Sequence, residues 1–324
     1  MTVGELGEMA LIAQLRALLD RPLTALLLGN GDDAAVLRAD GDVVLTVDSV
    51  VEGVDWLPQK MPLRAIGHRA AAVNLSDLAA MGAQPQALLL ALELPVSTLV
   101  SDVLEALEGL AALADQHGCG VVGGDVGFSP GPARWTVTAV GQLHGAGLQR
   151  DRARAGDAIW LIGDVGLAAL GLRLLAAELP LDQPWMQQCV YAHVWPEPLV
   201  NAGLALQATR ERMAAIDISD GLWRDADRLG RASSVHLDLA LTTPRKLLAA
   251  TEMGYDVATA MAHGGDDYAL LVAVPAQFDV AAVVGAGAQR IGRARAGQAG
   301  ATLVLDGVEM GQGGYQHGRW SLRK

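Results

Sequence analysis

The sequence predicts a mixed α/β (α+β) protein of two domains, and three observations carry that prediction. Its 324 residues exceed what one core usually holds, and length alone suggests roughly two domains. The composition is globular, 51% hydrophobic against 19% charged. Strand-like and helix-like stretches alternate along the chain, the pattern of sheets packed with helices. A chain of this size buries roughly three quarters of its unfolded surface, so it needs neither disulfide nor structural metal to fold.

The elements follow in order. Glu8, Leu11, Ile12, Leu15 and Leu18 recur at helical spacing and predict a helix over 8–19. Gly29-Asn30-Gly31-Asp32-Asp33 reads as a turn. Residues 43–48 are apolar and β-branched, a strand ending on Asp48. A helix over 62–81 stops at Gly82, and a second covers about 101–117. Val121-Val122 is a short strand before a Gly123-Gly124-Asp125 turn, and 135–143 alternates as a strand. The Gly-rich stretch at 145–147 marks the expected boundary between domains 1–146 and 147–324.

In the second half a strand over 158–162 runs into Gly163-Asp164-Val165-Gly166 and a helix to about 179. That glycine turn reads either as a phosphate cradle or as a plain turn into a helix. Another helix follows Pro198. A strand over 214–218 meets Ser219-Asp220-Gly221, then a helix over 222–232. Gly264-Gly265-Asp266-Asp267 precedes a strand over 268–274. Each half holds a Gly-Gly-Asp beside a strand, a faint hint of duplication.

The net charge of −12 disfavours nucleic acid and anionic membranes, and no local basic patch offsets it. No uncharged apolar stretch is long enough to span a bilayer. Glu5 and Glu8 precede the first apolar run, the wrong charge for a signal peptide. Cys119 and Cys189 are far apart and read as free thiols, so a cytoplasmic protein is expected.

Aspartates recur where strands meet loops: Asp32, Asp33, Asp48, Asp125, Asp217, Asp220, Asp266 and Asp267. Asp and Gly are common turn formers, and any single Gly-Asp pair is explained that way. Two details separate the set from that reading. Asp77 shares a helix face with Ile66, Ala70, Val73 and Met81, and a carboxylate on a buried stripe needs a partner, either Arg69 or a metal. Asp217, Ser219 and Asp220 converge within a few residues, a spacing that repels itself without a cation.

Hard oxygen donors with no His or Cys pattern select Mg²⁺ or Ca²⁺, and no EF-hand loop is present. Magnesium keeps one or two carboxylates and completes its shell with water and phosphate, so partial acidic sites imply a phosphate-bearing ligand. Neither the P-loop motif nor the protein-kinase motifs occur.

Together, Gly29-Asn30-Gly31-Asp32-Asp33, Thr46-Val47-Asp48, Val73-Asn74-Leu75-Ser76-Asp77-Leu78-Ala79-Ala80-Met81-Gly82-Ala83, Gly123-Gly124-Asp125, Ile216-Asp217-Ile218-Ser219-Asp220-Gly221 and Gly264-Gly265-Asp266-Asp267-Tyr268 resemble the thiamine-monophosphate kinases. That family lies within the aminoimidazole ribonucleotide synthetase-like superfamily. The resemblance implies a ferredoxin-like N-terminal half whose sheet forms a homodimer, a C-terminal α/β half, and ATP in the cleft. It implies several Mg²⁺ ions on Asp33, Thr46, Val47, Asp48, Asp77, Asp125, Asp217 and Asp220. Gly124, Asp125, Arg150 and Ser219 would contact ATP, and Asp55, Asp266 and Tyr315 thiamine monophosphate. Asp48 and Asp125 would be the catalytic pair. Val47 stands where Thr is common, Asp266 replaces a Glu and Asp55 a His.

The implied reaction is ATP-dependent phosphorylation of a monoester that is already largely dianionic, so no general base is required. Related enzymes fit less well. The first cysteine, Cys119, is too late for a selenophosphate synthetase, and the chain ends Ser-Leu-Arg-Lys where a hydrogenase-maturation dehydratase carries a reactive cysteine. Aminoimidazole ribonucleotide synthetase lacks the Asn74–Met81 match. A non-catalytic nucleotide-binding module is the alternative from another class.

Overall fold

The computed structural model describes residues 1–30 and 34–315. By internal contacts the chain divides into two compact units, Met1–Leu78 with Ala83–Gly145, and Ala79–Gly82 with Ala146–Lys324. Mixed α/β build in both units matches the expected fold class.

The first unit opens with α1 (Val3–Leu6), closed by a Thr2–Glu5 capping box, and α2 (Glu8–Leu19), the helix read from the sequence. Next come a small hairpin, β1 (Leu26–Leu28) and β2 (Val36–Leu37), then β3 (Asp42–Val51), α3 (Leu63–Met81), β4 (Gln84–Leu94), α4 (Val100–Gln116), β5 (Val121–Phe128) and β6 (Arg134–Leu143). The four long strands lie in the order β3-β6-β4-β5, with only β4 and β5 parallel. The long strands and their helices follow in the chain order β-α-β-α-β-β.

Helix α3 ends where the sequence places it, Gly82 taking a left-handed φ of +67°. Leu78 of α3 rests on Gly141 of β6. Helices α3 and α4 touch backbone to backbone: a Cβ on Gly67 would stand 1.9 Å from the Ala106 carbonyl oxygen, and one on Gly109 1.8 Å from that of Arg64. Strand β6 alternates buried Trp135, Val137, Ala139 and Leu143 with half-exposed Thr136 and Thr138. Strand β3 runs the other way: Val43, Leu45 and Val47 are 51%, 67% and 59% exposed.

Two readings are corrected here. Gly123-Gly124-Asp125 lies inside β5, paired with Leu89, Leu90 and Ala91 of β4, and is no turn. Strand β4 was not read from the sequence at all.

The second unit contains β7 (Ala158–Ile162), α5 (Leu167–Ala176), α6 (Pro184–Val194), α7 (Val200–Ala208), β8 (Ala214–Asp217), α8 (Leu222–Ala232) and β9 (His236–Leu241). It continues with α9 (Leu248–Glu252), α10 (Val257–His263), β10 (Leu270–Val274), α11 (Val280–Val284), β11 (Ala288–Arg295), β12 (Gly300–Leu305) and β13 (Val308–Met310). Its seven-stranded sheet has the order β13-β12-β9-β11-β7-β10-β8, with β9 and β12 parallel. Its core packs Ile159 and Leu161 of β7 and Leu271 of β10 against Leu170 of α5, Leu222, Ala226 and Leu229 of α8, and Met261 of α10. Cys119 and Cys189 are free and buried. Among the described residues no helix is long and apolar enough to cross a membrane.

Candidate active site

In the first unit, β3 presents Thr46 and Asp48 to one side and Val47 to the other, as strand alternation requires. The Thr46 hydroxyl donates to the Asp77 carboxylate of α3. The Asp48 N–H donates to Asn74 Oδ1 at 3.0 Å, and Asn74 Nδ2 is fixed by the Ala70 carbonyl, also at 3.0 Å. Helix α3 thereby sets Thr46 and Asp48 of β3. Arg69, the alternative partner for Asp77, sends its Nε to the Asp55 carbonyl at 2.9 Å. The Val47 side chain carries no donor atom and stands exposed opposite Thr138, so only its carbonyl could ligate. Asp55 closes the turn after β3, its carboxylate accepting the Val51 N–H at 2.8 Å.

Gly124 sits against β4 so closely that a Cβ would lie 1.9 Å from the Leu90 carbonyl oxygen. Asp125 follows it, exposed like Asp48. Register runs from Asp48 to Val137 to Leu90 to Gly124, three strand spacings, or about 14 Å across the sheet. A cavity of about 820 Å³ beside this edge is lined by Arg16, Asn30, Leu37 and Gly123 through Asp125. Arg16 donates to the Asn30 carbonyl at 2.8 Å, and Asn30 Nδ2 to the Val121 carbonyl at 3.1 Å, which ties the Gly29–Asn30 corner to β5. Asp33 lies outside the described residues.

In the second unit, Asp217 ends β8 and is 4% exposed. Beyond it the chain turns so that the N–H groups of Ser219 and Asp220 both reach Asp225 Oδ2, at 3.1 and 2.9 Å. Arg228 bridges the other Asp225 oxygen, at 2.8 Å, and Asp220, at 2.6 Å. Arg228 thus places a cation of the chain itself between Asp220 and Asp225. Burial pushes the Asp225 carboxyl up to about 6, the loop N–H groups and Arg228 opposing.

The same loop gathers the expected substrate residues of this unit. Asp266 N–H donates to the Ser219 carbonyl at 3.0 Å, and Tyr315 N–H to the Asp220 carbonyl at 2.8 Å. Tyr268 OH donates to Asp266 Oδ1 at 3.1 Å. Asp266 and Tyr268 both take left-handed backbone, φ +69° and +51°, a strained conformation for residues with side chains. Arg150 stands exposed at the start of a 3-10 turn, Arg150–Arg152, its carbonyl accepting the Ser233 hydroxyl at 2.6 Å.

Asp267 settles the glycine turn before α5. Its carboxyl group accepts the N–H groups of Gly166 at 2.7 Å and Ala168 at 3.2 Å, so the helix start is filled by the protein's own side chain. Enclosure pushes this carboxyl up to about 8 against the pull of those two donors.

Asp225 is the residue that sequence reading missed. It lies on the buried stripe of α8 with Leu222, Ala226 and Leu229, the same signal that marks Asp77: a carboxylate at helical spacing among apolar residues. Among the described residues, no three His, Cys, Asp or Glu side chains gather closely enough to hold one ion.

The model of the family "AIR synthase related protein, N-terminal domain" matches residues 31–143. The thiamine-monophosphate kinase of Synechococcus elongatus is 36% identical over 280 residues, spanning 84% of this chain and 83% of that protein. The chain belongs to the thiamine-monophosphate kinase family. As a member of that family it is an enzyme, a kinase. The crystal structure of the family member from Stenotrophomonas maltophilia K279a superposes with a TM-score of 0.78 at 37% identity, covering 94% of this chain and 98% of that one. A ThiL structure complexed with AMPPCP and TMP has a TM-score of 0.77 at 29% identity, covering 98% and 99%.

Proposed function

We propose that this kinase transfers the terminal phosphoryl group of ATP to thiamine monophosphate, giving thiamine diphosphate and ADP by Mg²⁺-assisted, direct in-line transfer. The observation that carries the reading is the layout of the first unit, where exposed Asp48 and Asp125 stand on separate strands and Thr46 meets Asp77.

The donor set fits magnesium. It is all oxygen and is spread over several elements, and among the described residues no three His, Cys, Asp or Glu side chains stand close enough to hold one ion. Mg²⁺ binds through one or two carboxylates and takes water and phosphate for the rest, so dispersed partial shells suit several ions. Asp33, Thr46, the Val47 carbonyl, Asp48, Asp77, Asp125, Asp217 and Asp220 would hold them. When bound, Mg²⁺ supplies the positive charge that lets two anionic phosphates approach.

The chain's own residues then orient the reactants. Gly124 leaves room for close backbone approach, and Asp125, Arg150 and Ser219 face the nucleotide. Asp55, Asp266 and Tyr315 take the thiamine moiety, the Tyr315 ring offering an aromatic surface. The acceptor oxygen is already anionic, so the site works by placement and charge neutralisation without a catalytic histidine.

We further infer a homodimer through the first unit's sheet, whose exposed Val43, Leu45 and Val47 form an apolar strip. Domains 1–146 and 147–324, and a cytoplasmic setting for the two reduced cysteines, complete the reading.

The test is ADP release with Mg²⁺, with and without thiamine monophosphate, across a small panel of phosphate monoesters. Release stimulated by thiamine monophosphate above the panel supports the assignment. Ligand-induced stabilisation with no release would identify a binding module instead.

A further inference from the structure

The loop Ser219–Asp220 is bonded on both sides of its backbone. Inward, both N–H groups converge on a single oxygen of Asp225, a side chain 0% exposed. Outward, the Ser219 carbonyl receives the Asp266 N–H and the Asp220 carbonyl the Tyr315 N–H. The second Asp225 oxygen holds Arg228, which also grips the Asp220 carboxylate at 2.6 Å. The Ser219–Asp220 backbone thus connects one buried carboxylate to Asp266 through a peptide it holds directly, and to Tyr315 through the next peptide.

We propose that Asp225 is a positioning residue that sets the nucleotide side and the acceptor side of the site together, through the Ser219–Asp220 backbone. The proposal rests on the roles given above to Ser219, Asp220, Asp266 and Tyr315. Asp225 itself touches neither reactant. Its oxygen fixes the direction of two peptide planes, Ile218–Ser219 and Ser219–Asp220, whose carbonyls accept the N–H groups of Tyr268 at 2.9 Å and Asp266 at 3.0 Å; the adjoining Asp220 carbonyl sets where Tyr315 begins. Arg228 completes the arrangement by keeping the Asp220 side chain on the same anchor. A shift of about 1 Å in such a support can cost on the order of 100-fold in rate. Losing Asp225 therefore moves the constants for both substrates, whereas losing Asp266 moves those of the acceptor alone.

The experiment compares Asp225→Ala and Asp225→Asn with wild type, at a temperature where each is fully folded. Asparagine keeps one oxygen able to accept both N–H groups but loses the ion pair with Arg228, so its effect is the smaller. We expect kcat to fall on the order of 10- to 100-fold in Asp225→Ala and about threefold or more in Asp225→Asn, with KM for thiamine monophosphate rising in both. Amide hydrogen exchange of the ligand-free proteins supplies a readout independent of turnover: Ser219, Asp220, Asp266 and Tyr315 should lose protection as a group. Wild-type constants in either folded variant overturn the proposal. So does a loss confined to Ser219 and Asp220 that leaves Asp266 and Tyr315 protected and the acceptor KM unchanged. If Asp225→Ala does not fold, Asp225→Asn decides by the same criteria. If wild type proves inactive towards thiamine monophosphate, the functional assignment fails, and the four amides still decide whether Asp225 organises the loop.

Discussion

In the first unit Asp48 and Asp125 stand exposed on β3 and β5, and Asn74 of α3 accepts the Asp48 N–H. In the second unit Asp217 and Asp225 are 4% and 0% exposed, and Asp225 and Asp267 are taken up by backbone N–H groups. Asp225 and Asp267 hold the protein's own loops, whereas Asp48 and Asp125 are open to a ligand. Acidic residues beside glycine turns look alike in sequence, yet Asp225 and Asp267 could take a cation only by releasing their N–H partners.

The sharpest way to break this comparison is to neutralise one carboxylate of each class. Asp48→Asn and Asp125→Asn should each reduce turnover by about 100-fold or more, with melting temperatures close to wild type, since both side chains are exposed. Steady-state kinetics beside thermal unfolding checks this, and wild-type turnover in either variant removes that residue from the catalytic pair.

The scaffolds themselves come next. Gly109→Ala would drive a Cβ to 1.8 Å from the Arg64 carbonyl oxygen, forcing α3 and α4 apart. A cost of about 1–3 kcal/mol is expected, read by denaturant titration. In the second unit, Asp267→Ala removes the acceptor for Gly166 and Ala168 and should cost about 1–2 kcal/mol, the usual range for a lost helix cap.

A further effect is on pH dependence. The folded state holds the Asp267 proton more tightly than the unfolded chain, raising its carboxyl from 3.8 to about 8. That contribution is complete below about pH 4 and is lost as pH rises through about 8. The wild-type minus Asp267→Asn difference in unfolding free energy should therefore decline across that window. A flat difference would mean that the two N–H donors keep the carboxylate ionised throughout.

Periodicity made the helices of both units legible: residues 8–19 and 222–232 match α2 and α8, because their apolar stripes face the core. Strand β4 was missed because its run from Gln84 to Leu94 is apolar on nearly every residue once it turns inward, which erases the alternation that marks a half-buried strand. Gly123-Gly124-Asp125 was misread as a turn because glycine's propensity is local, whereas the reason for Gly124 is the Leu90 carbonyl on the neighbouring strand. Glycine there answers to a close approach that no window along the chain can register.

For the site, residue identity was legible and partnership was not. Asp77 was recognisable as a carboxylate on a buried face, but Thr46 as its donor depends on how β3 meets α3. Arg228 as the cation between Asp220 and Asp225 could have been suspected from helical spacing. That Asp267 fills the start of α5 could not, because the two segments are 101 residues apart in the chain.

Nucleotide binding in the presence and absence of chelator puts the central claim to its most direct test, since the exposed carboxylates attract a polyphosphate only through divalent cations. Calorimetric titration of a non-hydrolysable ATP analogue should give clear binding with Mg²⁺, little with chelator, and a matching loss in Asp48→Asn. Equal affinity with and without chelator would contradict the account.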